Sequence, residues 1–312
     1  MESWQLIIIG AGPAGLTAGI YAGRSGLKTL ILDEKMAGGE ASVTPWIENY
    51  PGFESISGPE LAERMANHCR KFGATIKELE KAVSIDVEDQ KKRVQTDKAT
   101  HSASALIVAS GTHYRELQVP GEQGFRGKGV SYCAVCDGPF FKDKRVIVVG
   151  GGNSAVKSAI YLSNIASSVS LVHRRNELRA DMIDVETLNQ LDVQLLWNSE
   201  IKEIRGNDFV DSVIVKNNET GGIIETKADG VFVQIGELPN SKFAEEAGVN
   251  VDEDGFIIVD SHQRTNITGV FAAGDVTTGP VKQVGSAVGE AIIAATEAFL
   301  YVKRPYYYKG RV

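Results

Sequence analysis

The chain has 312 residues, more than the roughly 250–300 at which a single core stops growing, so two domains are expected and neither needs disulfide staples. Hydrophobic residues at 43%, charged residues at 23% and 33 glycines describe a globular protein, with glycine above the ordinary share of about 7%. A net charge of -7, with no basic run longer than Lys91, Lys92 and Arg93, argues against nucleic acid or an anionic membrane as the main partner.

Residues 5–23 carry no charge, but Gly10, Gly12, Pro13, Gly15, Gly19 and Gly23 interrupt them, which suits a strand, a turn and a helix better than a membrane span. Glu2 stands where a secretory signal would be basic and no lipidation motif occurs, so a cytoplasmic location is expected. Gln5 to Ile9 reads as a buried strand, Gly10-Ala11-Gly12-Pro13-Ala14-Gly15 as the turn and Leu16 to Ser25 as the helix. Gly10 permits the tight turn, Gly12 removes a side chain that would obstruct a pyrophosphate, and Gly15 lets helix and strand approach. The amides at the helix start supply the positive end for such a group. Lys28 to Leu32 is the next strand, and Asp33 and Glu34 close it about 20 residues past the turn, where an acid can accept from a ribose hydroxyl.

A helical pattern runs from Gly58 to Phe72 and holds Cys69, read as a buried structural thiol; strand-like runs follow at Thr75 to Ile85, Arg93 to Thr96 and Ala105 to Ala109. Cys133-Ala134-Val135-Cys136 comes next, within a complement of three cysteines that is too small for a disulfide framework. A structural zinc site wants four ligands, and no second such pair exists among His68, His101, His113, His173 and His262, so no metal is expected. Two thiols at this spacing can take two electrons from a reduced carrier and pass them on by thiol–disulfide exchange. Asp137 adjoins the second thiol and could shuttle its proton, although Asp before Gly138 is also ordinary turn chemistry.

The strand, turn and helix then recur as Arg145 to Val149, Gly150-Gly151-Gly152-Asn153-Ser154-Ala155 and Val156 to Ile165. The following strand, Val169 to Val172, ends in His173, Arg174 and Arg175 with Arg179 beyond, in place of an acid. Basic groups there suit the 2′-phosphate of NADPH. Strands are expected near Val193 to Trp197, Val210 to Val215 and Gly230 to Ile235. Asp260 to Asp275 reads as a strand leading into Ala273-Gly274-Asp275, where Asp275 either accepts from a sugar or ribityl hydroxyl or caps a helix, and Gln283 to Tyr301 reads as a long helix.

Taken in order, Gly10 to Gly15, Gly38-Gly39, Glu48-Asn49-Tyr50-Pro51-Gly52, Ser110-Gly111-Thr112, Ser131 to Gly138, Gly150 to Ala155, His173-Arg174-Arg175, Gly236, Pro239-Asn240 and Phe271 to Asp275 carry a likeness. Over essentially its full length the chain resembles the low-molecular-weight thioredoxin reductase family. The resemblance implies an α/β fold of two Rossmann-like dinucleotide-binding domains, with an NADPH domain at 114–245 inserted into a discontinuous FAD domain at 1–113 and 246–312. It also implies a homodimer, a thioredoxin-like protein substrate, and rotation of the inserted domain about hinges near His113 to Leu117 and Gly236 to Ser241. By this likeness Gly10, Gly12, Pro13, Ala14 and Gly15 receive the FAD pyrophosphate, Asp33 or Glu34 the ribose, and Asn49 and Asp275 the flavin end. Gln283 and Ala287 would lie beside the isoalloxazine and ribityl chain, with Gly39, Glu40, Ser110, Gly111, Gly274, Lys282 and Val284 around the same cofactor. Gly150, Gly152, Asn153, Ser154, Ala155, His173, Arg174, Arg175, Arg179 and Gly236 would hold NADPH.

Departures from the family pattern are Glu40 for Gln, Asn153 for Asp, Lys157 for Glu and Lys282 for Arg. The implied path takes a hydride from NADPH to FAD, then to Cys133–Cys136 with Cys136 nearer the flavin and Asp137 as acid–base group, then to a thioredoxin-like disulfide; which cysteine attacks the substrate stays open. The same scaffold also serves small-molecule dithiol oxidases and enzymes fed by reduced ferredoxin or a deazaflavin, and a different class of reading is a non-catalytic flavoprotein that senses redox state or binds partners. The basic residues 173–175 speak against the first two, and the retained cysteines and glycine turns against the last.

Overall fold

The apolar N-terminal run forms the strand Glu2–Ile9, in which Leu6, Ile7 and Ile8 lose all solvent exposure. A strand covered on both faces belongs inside a parallel sheet, and this one pairs in parallel with Thr29–Leu32 on one side and Thr100–Val108 on the other. The structure, a computed structural model, describes residues 2–44, 46–87 and 91–309. It divides into two units, one ending at His113 and resuming at Leu238, the other spanning Tyr114–Glu237.

In the first unit a seven-stranded sheet runs Thr75–Lys77, Thr29–Leu32, Glu2–Ile9, Thr100–Val108, Lys92–Thr96, Ala82–Asp86, with Val270–Ala272 also on Thr100–Val108. That long strand shares its outer edge: Thr100 to Ala103 pair antiparallel with Lys92–Thr96, and Leu106 to Val108 pair parallel with Val270–Ala272. The single strand expected from Thr75 to Ile85 is broken, because Leu79 turns to positive φ (56°) and the N–H of Glu80 goes to Asp33 instead of a ladder. The strand expected over Asp260 to Asp275 contracts to Val270–Ala272. Asp260 accepts the N–H groups of His262 and Arg264 and holds the earlier part in a turn.

The helix Pro13–Arg24 packs on the helix Val284–Lys303. The latter is the one helix among the described residues long and apolar enough to cross a membrane. Its Ala291, Ala294, Ala295 and Ala298 form a buried stripe at helical spacing. Glu297 on the same helix is 2% exposed and pairs with Arg264 at 2.7 Å, an arrangement suited to a core helix of the sheet.

Under the antiparallel edge, Glu80 Oε1 lies 2.7 Å from His101 Nε2 and accepts from Thr96 Oγ1 at 2.9 Å, all of them buried. Burial pushes the Glu80 carboxyl up, but the hydrogen bonds from His101 and Thr96 outweigh it and the net shift is downward. A depressed folded value means stability present above the ordinary Glu range and lost as pH falls through the lower, folded value. Glu80→Gln is therefore expected to cost stability near neutrality, with the gap to wild type closing below about pH 4, in urea unfolding measured across pH.

The second unit repeats the winding. A five-stranded parallel sheet runs Val193–Leu196, Ser168–Val172, Arg145–Val149, Gly230–Val233, Val130–Ser131. Again the middle strand leads through glycines into a helix, Asn153–Ser163. A separate three-stranded antiparallel sheet comprises Ser199–Gly206, Val210–Asn217 and Ile223–Lys227, of which only the middle strand is anticipated by apolar patterning. Each unit keeps its own core, around Leu6, Ile8 and Phe271 in one and Val148, Val233 and Phe232 in the other. The chain passes between the units in Thr112–Tyr114 and Glu237–Pro239, which pair as a two-stranded sheet. The second crossing comes at Glu237, ahead of residue 245, because Asn240 is fastened to the first unit: its Nδ2 donates to the Ser110 carbonyl at 2.9 Å and its N–H to that of Gly111 at 3.0 Å.

Candidate functional site

Both glycine turns leave a space that side chains would fill. Gly10 has φ 107°, and a Cβ there would overlap the carbonyl of Ala109. A Cβ on Gly15 would overlap the carbonyl of Gly10, so the helix start is pressed onto the strand end. Gly12 is different: its φ is ordinary, at −75°, and among the described residues a Cβ there would meet only the Cα of Gly39, at 3.8 Å. Gly12 and Gly39 thus face each other as bare backbone, and the Pro13–Arg24 helix start has no side-chain cap. That is the form of a slot for an anion approaching a helix N-terminus. Gly38 anchors the far wall by donating its N–H to the Ala11 carbonyl at 2.8 Å, and Glu40 follows in the 3-10 turn Gly39–Val43.

The two adjacent acids separate. Asp33 reaches back to the turn, its Oδ2 accepting the Ala11 N–H at 2.6 Å and its Oδ1 that of Lys35 at 2.8 Å. Burial pushes its carboxyl up, partly offset by those hydrogen bonds. Glu34 is exposed and pairs with Lys81 at 2.8 Å, which holds its carboxyl below the usual range.

The C-terminal segment comes to the same turn. Gly274 has φ 81°, and a Cβ there would lie 2.8 Å from that of Ala14 and 3.7 Å from that of Ala287, so the three converge, with half-buried Asp275 next in line. Asp275 caps no helix: the N-cap of Val284–Lys303 is Gln283, in a reciprocal capping box with Ser286. Asn49 Nδ2 donates to Gln283 Oε1 at 3.0 Å, joining residues far apart in sequence. Lys282 donates to the Thr277 carbonyl and lies 4.4 Å over the Phe256 ring, and Val284 is half-buried in the first helical turn. Ser110 Oγ donates to the Asn240 carbonyl at 2.7 Å, and Gly111 has φ 65°.

In the second unit Gly150 has φ 150°, and a Cβ there would overlap the Gln234 carbonyl. It would also lie 2.7 Å from the Ala155 methyl, so the alanine at the third turn position fills room that Gly150 leaves. Among the described residues nothing beyond its chain neighbours lies within 4 Å of where a Cβ on Gly152 would be. Asn153 Oδ1 accepts the Asp181 N–H at 2.7 Å, and Ser154 is exposed. Gly236, with φ 110°, accepts from the Arg115 N–H at 2.9 Å.

The basic cluster also separates. His173 is 6% exposed, its ring occupies the space beside Gly151, and its Nε2 is 2.9 Å from the Glu177 carbonyl. Burial first, then the charges of Arg179, Arg175 and Arg174, hold its pKa below the ordinary value, so it is neutral near pH 7 and supports the turn from beneath. Arg174, Arg175 and Arg179 are exposed, and Arg179 is tied through its N–H to the Gly151 carbonyl at 2.7 Å. Residues 173–180 are not helical.

Cys133 and Cys136 form a disulfide with Cα atoms 5.3 Å apart. Cys133 caps the helical turn Ala134–Asp137, and its Sγ accepts the Cys136 N–H at 3.2 Å. Asp137 is half-buried; burial pushes its carboxyl up and a hydrogen bond from Ser131 pulls it back. Cys69 is buried and its thiol is pushed up to about 12 by burial, which leaves it inert as a thiolate. Among the described residues no group of three or more His, Cys, Asp or Glu could hold a metal ion.

The sequence does not mark Ser131, Gln234 and Glu290 as site residues. Ser131 Oγ contacts both Cys133 and Asp137. Gln234 Nε2 donates to the carbonyl of Tyr132 at 2.8 Å, while its own carbonyl sits against Gly150. Glu290 Oε2 accepts the Gly274 N–H at 2.7 Å and fixes the turn before Asp275. The sequence signal for Glu290 is weak: it is one of two acids, with Glu297, on a largely apolar helix.

The pyridine nucleotide-disulphide oxidoreductase family matches residues 4–291. A thioredoxin reductase of Bacillus subtilis (strain 168) is 44% identical over 302 residues, covering 96% of this chain and 95% of that protein. Another, of Peptoclostridium acidaminophilum, is 41% identical over 308 residues, covering 96% of this chain and 97% of its own length. The crystal structure of thioredoxin reductase from Streptococcus pyogenes MGAS5005 is 41% identical, with a TM-score of 0.91 over 99% of each chain. That from Giardia duodenalis is 36% identical, with a TM-score of 0.90 over 96% of this chain and 100% of that one.

Proposed function

The chain belongs to the pyridine nucleotide-disulphide oxidoreductase family, and from that membership we propose that it is an NADPH-dependent thioredoxin reductase using FAD. The observation that carries the proposal is the Cys133–Cys136 disulfide in a chain with two strand–glycine–helix units, the first followed by an acid and the second by arginines. The bare slot between Gly12 and Gly39 fits a pyrophosphate, and Asp33, rather than Glu34, is the acid we assign to the adenosine ribose. Ala14, Gly274, Asp275 and Ala287, with Asn49 and Gln283, are the residues we assign to the flavin end. Gly150, Gly152 and Ala155 would receive NADPH, with Arg174 and Arg175 on its 2′-phosphate. The flavin, when bound, supplies the two-electron carrier between a nicotinamide hydride and the disulfide.

The protein's own residues do the rest. Cys133 and Cys136, once reduced, exchange with the disulfide of a thioredoxin-like protein: two substrate thiols form and the Cys133–Cys136 bond closes again. The thiolate leaving the substrate needs a proton, and Asp137, next to Cys136 in the chain and with a carboxyl that burial raises, is the group we assign to hold one. A homodimer is part of the same proposal. Protein purified without added cofactor is expected to be yellow and to release FAD on denaturation; mass analysis showing FMN or no flavin would overturn the cofactor assignment. A coupled assay with NADPH and a bacterial thioredoxin tests the activity.

A further inference from the structure

Ser131 ends a short strand, is 4% exposed, and points its hydroxyl between the two working parts of the redox centre. The oxygen accepts the Cys133 N–H at 3.1 Å and the O–H donates to Asp137 Oδ2 at 2.7 Å, with the Cys133 carbonyl 3.3 Å away as a second acceptor. A serine hydroxyl has one proton, so it serves one acceptor at a time. An ionised Asp137 takes that proton in a charge-assisted bond. A protonated Asp137 can instead donate to the Ser131 oxygen, which turns the hydroxyl proton toward the Cys133 carbonyl. We propose that Ser131 is a positioning residue of the redox centre: it fixes the Asp137 carboxyl relative to the Cys133 peptide and couples the proton on Asp137 to the backbone that presents the sulfurs. The role of Asp137 rests on the thioredoxin reductase reading; the contacts of Ser131 do not.

Of the elements packed against Ala134–Asp137, the segment Gly138–Phe141 has no titratable side chain, and the helix Asn153–Ser163 offers Lys157, paired with Asp184 at 3.5 Å, and Tyr161, whose ring lies beside Gly138. Arg126 bridges to Val130 and stacks over the Tyr132 ring at 5.1 Å. Removing the Ser131 hydroxyl therefore removes the hydrogen bond that, among the described residues, pulls Asp137 toward the ordinary carboxylate range.

The test uses the reduced holoenzyme, freed of dithiothreitol, and follows alkylation of its thiols by iodoacetamide against pH, alongside kcat and KM for thioredoxin. The ionisation that Asp137→Asn removes from the wild-type alkylation profile is expected to move up by about one pH unit in Ser131→Ala. In turnover kcat should fall about tenfold with KM little changed, and Ser131→Thr, which keeps the hydroxyl, should restore the wild-type profile. A Ser131→Ala profile that superimposes on wild type would overturn the proposal, as would a lower kcat with an unmoved ionisation, or no ionisation that Asp137→Asn removes. A Thr variant with wild-type melting temperature that behaves like Ala also counts against it. The alkylation profile needs no thioredoxin, so a wild-type enzyme that fails to reduce thioredoxin would defeat the proposed activity while leaving the role of Ser131 to be decided separately.

Discussion

Cys136→Ser is expected to lower NADPH-driven thioredoxin reduction by on the order of 10⁴-fold or more, and Cys133→Ser to do the same. The two sulfurs act as one unit: their bond has to open to accept two electrons and close to give them up, and a hydroxyl can do neither. Bleaching of the flavin by NADPH in anaerobic stopped-flow should survive both substitutions, because a hydride reaches the flavin before the disulfide is engaged. Each variant should carry one additional thiol titratable in the folded protein, whereas buried Cys69 reacts only after unfolding. Cys69→Ser should leave kcat near wild type, since a thiol pushed up to about 12 takes no part in exchange at neutral pH. Disulfide reductase activity retained after either Cys133→Ser or Cys136→Ser would mean that electrons leave by another route.

The other large effect concerns nucleotide choice. The strand after the first glycine turn ends in Asp33, which would repel a 2′-phosphate; the strand after the second ends in exposed arginines. Arg174 and Arg175 lie in non-helical chain, their guanidinium groups make no hydrogen bond or ion pair among the described residues, and His173 is buried and neutral beneath them. Recognition of the phosphate is therefore expected from the two arginines, whose forked donors match it. At about 1.5 kcal/mol each, they should favour NADPH over NADH by roughly 100-fold or more in kcat/KM. The double change to Ala should erase most of that preference by raising KM for NADPH, with NADH use little altered, while His173→Ala should loosen the turn for both nucleotides alike. Equal kcat/KM for the two nucleotides in the unaltered enzyme would refute the assignment, and turnover with neither would point to a ferredoxin or deazaflavin donor.

The parts of the fold legible in the sequence are those whose cause is local. The apolar strands Glu2–Ile9 and Arg145–Val149, each running into glycines and a helix, declare themselves by pattern alone. Short strands do not: Val130–Ser131 and Thr112–Tyr114 are held by partners distant in sequence, and their few residues carry no period. The same holds within the site. Neighbouring acids at 33 and 34 look alike as letters, and only the return of Asp33 to Ala11 and the pairing of Glu34 with Lys81 tell them apart. His173 next to two arginines reads as part of a basic surface; it is inside because Gly151 has no Cβ to exclude its ring. Gln234 meets Tyr132 across 102 positions of chain, a separation over which no sequence spacing is informative.

The way the second unit is tied off has a consequence for its modularity. Its first and last residues leave through neighbouring strands, and the Arg115 N–H donates to the Gly236 carbonyl at 2.9 Å right at the neck. Cutting the whole segment out would leave His113 and Leu238 close enough for a tight turn to rejoin, with little loop-closure entropy lost and neither core opened. Such a segment has the form of a cassette: excising it is expected to leave its host folded, and joining its own ends is expected to give a free-standing unit.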